Sequence, residues 1–256
     1  MFKIATWNVN SIKVRLPHIL TWIEKERPDV LALQETKSID ENFPVDAIKE
    51  AGYQVSFTGQ KTYNGVATIS KCPITTISKS IPNYNDEQKR VLAINTSNVI
   101  VLNIYVPNGS EVNSEKYTYK LKWLSKLHPF IKMLQKENSR LIILGDLNIA
   151  PEDRDVHDPE EWKGCVLVSE NERNEFKKIL SNDMTDCFRI FNSGDGHFSW
   201  WDYRAASFRR NRGVRIDHIL ASNIMSESCK ACYIDKTPRE LERPSDHTPV
   251  VGEFDI

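Results

Sequence analysis

The chain contains no run approaching the roughly 18 consecutive apolar residues that a membrane-spanning helix needs, so no transmembrane helix is expected. No leader is expected either. Met1 to Trp7 enter an alternating apolar stretch without a basic lead, a long apolar segment or a small-residue cleavage site, and no export signal is expected. Cysteines are few: five, an odd and scattered set that makes no disulfide framework. A reducing, cytoplasmic location fits that usage. An excess of either charge is also absent. With 34 Lys+Arg against 35 Asp+Glu the net charge is -1, so a polyanionic partner must be held by a local patch, not by the field of the whole molecule. No Pro/Gly/Ser-rich linker or short repeat divides the 256 residues, and residues 1–256 are expected to form a single domain with a substantial core.

Several segments read as elements. Phe2 to Trp7 is an expected strand, and Pro17 is expected to open a helix whose apolar positions Leu16, Ile19, Leu20 and Ile23 recur at helical spacing. Further strands are expected at Asp29–Leu33, Tyr53–Phe57, Gly65–Ser70, Leu92–Thr96 and Val99–Tyr105. Helices are expected at Glu115–Glu137, kinked or split at Pro129, and near Glu170–Asn182. Leu141–Leu144 is wholly apolar, as a strand buried on both faces would be, and runs into Gly145-Asp146-Leu147-Asn148. Strands at Val214–Ala221 and Val250–Phe254 complete the set. Several consecutive strands have no helix between them. An α/β fold of mixed sheets packed face to face with helices outside is therefore expected over one doubly wound parallel sheet.

The polar residues with chemical potential sit at strand ends. Asn8, Glu35 and Tyr105 lie at the ends of the first, second and Val99–Tyr105 strands; Asp146 and Asn148 follow Leu141–Leu144; Asp217 lies early in its strand, and Asp246-His247 precedes the last one. Polar residues commonly occupy strand ends, and any one of these alone would mean little. Together they are Glu, Asp and Asn without Cys or paired His, the ligand chemistry of a hard cation such as Mg²⁺ or Mn²⁺ and not of zinc. Phosphodiester hydrolysis needs neutralised phosphoryl oxygens, an oriented water and help for the leaving oxygen, all of which such a set supplies.

Trp7-Asn8-Val9-Asn10, Leu33-Gln34-Glu35-Thr36-Lys37, Tyr105-Val106-Pro107-Asn108-Gly109, Gly145-Asp146-Leu147-Asn148-Ile149, Ser199-Trp200-Trp201-Asp202-Tyr203-Arg204, Arg215-Ile216-Asp217 and Pro244-Ser245-Asp246-His247 follow one another along the chain. In that order the chain resembles exonuclease III-type AP endonucleases, within the wider endonuclease/exonuclease/phosphatase superfamily that includes DNase I. The resemblance implies a four-layered α/β sandwich of the DNase I-like type and Mg²⁺-dependent incision 5′ to abasic sites, leaving a 3′-hydroxyl. It also implies 3′-phosphatase, 3′-phosphodiesterase and 3′–5′ exonuclease activities, acting on double-stranded DNA with abasic sites or blocked 3′ ends, by a monomer. Carried over by residue, Glu35 is the principal metal ligand with Asn8 and Asp246 near it. Asp146 prepares the attacking water, Asn148, His247 and Tyr105 contact the phosphate, and Asp217 orients His247. One or two ions are implied, a second one near Asp146 and Asn148, with Mn²⁺ able to replace Mg²⁺.

Recognition of a missing base requires a small apolar pocket for a flipped-out sugar, and the resemblance puts Trp200, Val214 and Ile216 there, with Trp201 packed inside. Arg204, Arg209, Arg210, Arg212 and Arg215 form the densest basic stretch and are expected along DNA phosphates. Lys61, Tyr63, Asn64 and Gly65 resemble a second phosphate-holding loop, with Asn108 near the scissile bond and Lys116 and Lys120 as weaker candidates. Lys37 is expected to balance the acidic cluster when no metal is bound. Cys229 and Cys232 form a lone C-x-x-C without a second pair, read as small residues near a strand and not as a zinc or redox site. A phosphatase for lipid or small-molecule phosphates, and a non-catalytic DNA-binding module on the same scaffold, are the competing readings.

Overall fold

The computed structural model describes residues 1–256. Along the chain come β1 (Phe2–Asn8), α1 (Ile12–Glu26), β2 (Val30–Gln34), α2 (Val45–Glu50), β3 (Gln54–Thr58), β4 (Val66–Ser70), β5 (Thr75–Ser78), β6 (Val91–Thr96) and β7 (Val99–Tyr105). They are followed by α3 (Glu115–Glu137), β8 (Leu141–Asp146), α4 (Pro159–Trp162), α5 (Glu170–Leu180), β9 (Met184–Asp186), α6 (Cys187–Phe191), β10 (Asp217–Ser222), α7 (Asn223–Glu227), β11 (Cys229–Ile234) and β12 (Val250–Phe254). The strands make two six-stranded sheets, ordered β11-β12-β1-β2-β4-β3 and β5-β6-β7-β8-β10-β9.

The alternation of each strand explains the layering. Ile4, Val30, Ala32, Val101, Ile142 and Leu144 point between the sheets into one shared core. Their neighbours Ala5, Leu31 and Leu33 meet Ile19, Trp22 and Ile23 of α1, while Ile100, Leu102 and Ile143 meet Leu124, Leu127 and Ile131 of α3. Strands buried on both faces read as near-continuous apolar runs, and four layers result: helix, sheet, sheet, helix. The expected α/β sandwich is the fold observed.

Each sheet holds one parallel pair, β1–β2 and β7–β8, joined by a helical crossover, α1 and α3 respectively. Parallel strands end on the same side, so Asn8 pairs with Gln34, and Tyr105 with Asp146. Antiparallel β10 starts where β8 ends and sets Asp217 opposite Asp146. Ligand sites of α/β sheets lie at such carboxyl ends. Beneath this rim, buried Gln34 donates to Thr6 Oγ1 at 2.9 Å and across the sheets to Asn103 Oδ1 at 2.8 Å. Asn103 in turn donates to Ala67 O at 2.9 Å. Buried polar groups satisfied in this way fix one sheet against the other.

The structure differs from the sequence-based expectations at some boundaries. Helix α1 starts at Ile12, five residues before Pro17, because Ser11 and Ile12 donate to Glu35 O (2.8 Å) and Thr36 O (3.0 Å) and fasten the first turn. Pro17 is on the exposed side, where the carbonyl that loses its partner meets water. Pro129 likewise lies on the exposed face of α3, which runs unbroken from Glu115 to Glu137. Val214 is not in β10. Its N–H and C=O pair with Trp200, because the β10–β8 ladder closes with Asp217 opposite Asp146 and a last bond from the Leu147 N–H to Ile216 O at 2.9 Å. Sequence reasoning also missed β5, β9 and β11: an exposed edge strand, a three-residue strand, and a strand interrupted by a bulge at Cys229/Ala231.

Candidate active site

Glu35 follows β2 with φ +51°, a left-handed conformation that residues with a Cβ rarely adopt. Thr36 donates to Gly65 O at 3.1 Å and Lys37 to Asn64 O at 2.9 Å, which holds the turn against β4. Gly65 has no Cβ because one would stand 2.2 Å from Thr36 Oγ1. Glu35 Oε1 accepts from Asn8 Nδ2 and from the Tyr105 hydroxyl, each at 2.9 Å. Its other oxygen pairs with Lys37 Nζ at 2.9 Å, and Lys37 also reaches Asn10 Oδ1 at 2.5 Å. Burial pushes the Glu35 carboxyl up, but Lys37 and the Asn8 hydrogen bond outweigh it and leave the group below its ordinary value. Lys37 does balance the acidic cluster, as its position in the sequence led one to expect.

Asp146 is buried at the end of β8. Its Oδ2 accepts from Asn8 Nδ2 at 2.9 Å and its Oδ1 from the Asn148 backbone N–H at 2.9 Å. Burial pushes it up to about 7, opposed by His247 and the Asn8 hydrogen bond and reinforced by Asp217 and Glu35. His247 Nε2 lies 3.8 Å from Asp146 Oδ2, and its Nδ1 is 2.8 Å from Asp217 Oδ2. Asp217 also accepts from Ser199 Oγ at 2.7 Å. Burial would lower the His247 pKa, yet Asp217 and then Asp146 overcome it and raise the group to about 10. A carboxylate on Nδ1 fixes the ring and favours its charged form.

That electrostatic arrangement has a measurable consequence. In the metal-free protein His247 is expected to stay protonated through neutral pH and titrate near 10, where an ordinary histidine titrates near 6.5. Because the folded value is raised, the stability it confers is full below pH 6.5 and is lost as pH rises through about 10. Asp217→Asn should bring the titration down towards neutrality. An imidazole NMR titration checks this, and a His247 midpoint near 6.5 in the unsubstituted protein would contradict it.

Glu35, Asp146 and His247 offer ligand atoms within 4.8 Å of one another, a cluster suited to a metal ion. With His247 protonated, the donors left are carboxylate oxygens, which suits a hard divalent cation. Two residues of the sequence-based ligand set make other contacts in the absence of an ion. Asn8 turns its NH₂ to both carboxylates, while its oxygen accepts the Asn10 N–H at 3.0 Å, so it holds Glu35 and Asp146 in place. Asp246 stands outside the cluster: its oxygens accept from Asn10 Nδ2 and Trp200 Nε1, each at 3.0 Å. Asn148, at φ +50°, donates to Val106 O at 2.9 Å and accepts from Asn108 Nδ2 at 3.2 Å.

The outlying candidates divide sharply. Arg204, Arg209 and Arg210 are exposed, and Arg212 is half-buried against Glu161. Arg215 does not face solvent. It is 1% exposed and paired with Asp155 at 2.6 Å and Asp186 at 2.8 Å, so it braces the interior and contacts no phosphate. Lys120 is likewise fully buried against Glu172 and donates to Asn148 O at 2.6 Å and Asn108 O at 3.1 Å. Lys61 and Tyr63 are exposed, but Asn64 spends its amide hydrogens on Gln60 and Gln88, and the Gly65 N–H on Lys89 O. Tyr63 and Asn64, with Gln60, Gln88, Arg90 and Tyr105, line a cleft of about 310 Å³ that opens from Glu35 and Lys37. A larger groove of about 690 Å³, bordered by Arg27, Tyr53 and Lys71, lies at the opposite ends of the same strands and has no carboxylate cluster. Trp201 is wholly buried, Trp200 half-buried, and Val214 and Ile216 lie beneath the surface. Val214 therefore backs the expected pocket and does not line it. Ser199, Glu172 and Trp162, which meets Trp200 edge-on at 6.5 Å, were not foreseen. The Ser-x-x-Glu capping pattern at Ser169–Glu172 was the one local signal that could have found any of them.

The sequence profile of the endonuclease/exonuclease/phosphatase family matches residues 5–247. Exodeoxyribonuclease III of Haemophilus influenzae is 35% identical, with 98% of this chain and 99% of that protein aligned. Among solved structures, the 3′ phosphatase NExo from Neisseria, bound to a product DNA hairpin, is 40% identical with a TM-score of 0.96, covering 100% of both chains. An AP endonuclease from Archaeoglobus fulgidus is 39% identical with a TM-score of 0.95, again over 100% of both chains. With a site of carboxylates and a charged histidine at the rim of two mixed sheets, and with matches along its full length, the chain belongs to the endonuclease/exonuclease/phosphatase family and is a homologue of exodeoxyribonuclease III.

Proposed function

We propose that this protein is a Mg²⁺-dependent DNA repair phosphodiesterase that cuts 5′ to abasic sites, leaving a 3′-hydroxyl, and also removes phosphate and other blocking groups from 3′ ends. The observation that carries the reading is the buried Asp146 at about 7 beside a His247 held charged by Asp217, with Glu35 in the same cluster. Glu35 would hold the cation, with Asp146 adjoining it, and the cation would neutralise charge on the phosphoryl oxygens.

The chain's own groups account for the other steps. Asp146 accepts the proton of the attacking water. The His247 imidazolium and the Asn148 amide donate to the non-bridging oxygens, where charge grows in the transition state. Asp217, steadied by Ser199, keeps the imidazole ring in place, and Asn8 holds Glu35 and Asp146 at their separation. The Tyr105 hydroxyl, pushed well above its ordinary pKa first by burial and then by Glu35, stays a neutral donor at the rim. The protein works as a monomeric single domain in a reducing cytoplasm, which suits its five free cysteines. No helix is long and apolar enough to cross a membrane.

DNA is gripped by the exposed Arg204, Arg209 and Arg210, with Lys61 and Tyr63 on the other side of the cluster. Binding should weaken steeply with salt, and Arg209→Ala with Arg210→Ala should lower the slope of log K against log salt by about 2. A slope unchanged by the pair, measured by fluorescence anisotropy, would remove that loop from the interface.

The reading is tested with a duplex bearing one tetrahydrofuran abasic analogue and a nicked duplex bearing a 3′-phosphate, each with Mg²⁺ or EDTA. New 3′-hydroxyl ends that depend on Mg²⁺ are expected. The reading fails if neither DNA is processed while a phosphoinositide or a nucleotide phosphate is hydrolysed.

A further inference from the structure

A buried ion pair reaches the active-site loops from behind the rim. Lys120 of α3 and Glu172 of α5 are both 0% exposed. The three ammonium hydrogens of Lys120 meet three acceptors: Glu172 Oε1, Asn148 O at 2.6 Å and Asn108 O at 3.1 Å. Glu172 is saturated as well. Its Oε1 also accepts from the Leu167 N–H at 3.0 Å, and its Oε2 accepts from the Ser169 N–H at 3.1 Å and the Ser169 hydroxyl. Leu167, at φ +76°, is fixed on its other side by the Ala150 N–H, which donates to its carbonyl at 2.7 Å. A buried network in which every member is satisfied is rigid.

Asn148 is the residue that this network holds. Its backbone is left-handed, at φ +50°. Its N–H donates to Asp146 Oδ1 at 2.9 Å, and its C=O accepts from Lys120. In the side chain, Oδ1 accepts from Asn108 Nδ2 at 3.2 Å, and one Nδ2 hydrogen goes to Val106 O at 2.9 Å. The second Nδ2 hydrogen is left for the phosphate. Its direction follows the amide plane, and that plane is set by two turns whose carbonyls Lys120 draws together. Gly109, next to Asn108, leaves room for the lysine stem: a Cβ there would stand 3.2 Å from Lys120 Cδ.

Stability alone gives no reason for charge at this place, since apolar residues of similar volume often replace a buried ion pair without loss. We infer that Lys120 and Glu172 are positioning residues that aim the Asn148 amide at a non-bridging oxygen of the scissile phosphate, a role that rests on the phosphodiesterase reading above. Neither touches the substrate. Glu172 fixes the ammonium, the ammonium bridges the Asn108 and Asn148 carbonyls, and the bridge directs the amide to where charge grows in the transition state. A donor displaced by about 1 Å costs on the order of 10² in rate.

Lys120→Met keeps an apolar stem and removes all three donors. Combined with Glu172→Gln it leaves no buried charge, and glutamine suits the capping position after Ser169. The double variant serves if the single one does not fold, judged by circular dichroism. With Mg²⁺ and the nicked duplex bearing a 3′-phosphate, kcat should fall at least about tenfold while KM stays within about threefold. Asn148→Gly, which suits the left-handed backbone, should abolish this dependence. In that background the Lys120 substitution should cost less than about threefold, because the amide it aims is gone. A general loosening of the fold would instead lower activity equally in both backgrounds. A kcat within about twofold of the unsubstituted protein in a folded variant, a loss carried by KM, or equal losses in the two backgrounds would overturn the inference. No Mg²⁺-dependent turnover by the unsubstituted protein would fell the phosphodiesterase reading first, and this inference with it.

Discussion

Asp146→Asn is expected to lose at least about 10³ in turnover while DNA affinity changes by no more than a few-fold. The asparagine is isosteric, and its oxygen can still accept from Asn8 or Asn148, so the rim keeps its shape. It has no basicity and no charge, however. The variant therefore loses the acceptor for the proton of water and the carboxylate that faces His247 Nε2 at 3.8 Å. Single-turnover kinetics on the 3′-phosphate nick, paired with equilibrium binding to the same DNA in EDTA, separates the two effects. Near-normal turnover would remove Asp146 from its role, and a parallel loss of binding would make the role structural.

The second large effect lies away from the rim. Arg215→Met should destabilise the fold by about 3–5 kcal/mol, because removing one partner of a buried ion-pair network leaves uncompensated charge in a low-dielectric interior. Arg215 donates to Asp155 and Asp186 and reaches His218 Nδ1 at 3.2 Å, and Asp155 also binds Arg189. His218 stays neutral in this setting: burial, then Arg215, lower its pKa to about 4. Since Arg215 immediately precedes Ile216-Asp217, the loss would also loosen the strand end that orients His247. Urea denaturation reads the change. A midpoint equal to that of the unsubstituted protein would contradict the bracing role and reopen Arg215 as a DNA contact.

Arg215 also shows why some of the site was legible in the sequence and some was not. The runs that deliver Glu35 and Asp146, Val30–Leu33 and Leu141–Leu144, are apolar at every position because both faces are covered, and such a run stopping abruptly at a polar residue is a local signal. Burial of a charged residue depends on partners elsewhere in the chain. Within its segment Arg215 resembles Arg209 and Arg210, and only Asp155 and Asp186, brought in by other elements, make it an interior residue. Lys120 is the same case, a lysine on a surface-patterned helix until Glu172 of α5 packs over it. The tie from Gln34 to Asn103 crosses two sheets and leaves no trace in either strand's alternation.

Asn8 marks a finer limit. Its place beside Glu35 and Asp146 was legible, but the direction of its amide is set by the Asn10 N–H that takes its oxygen. Leu167 is harder still. It sits on a left-handed backbone that a leucine gives no sign of adopting, fixed by Glu172 and Ala150. Backbone conformations of this kind are imposed by surrounding structure and concentrate at functional sites.

The central claim is that Glu35 holds a divalent cation for hydrolysis of a DNA phosphate by Asp146 and its neighbours. It is tested most directly by the rate of 3′-phosphate removal as Mg²⁺ is titrated, for the unsubstituted protein and for Glu35→Gln. The account predicts no turnover in EDTA, saturation with Mg²⁺, and a half-saturating concentration at least about tenfold higher in the variant. Turnover that persists in EDTA, or an identical Mg²⁺ dependence in the two proteins, would contradict it.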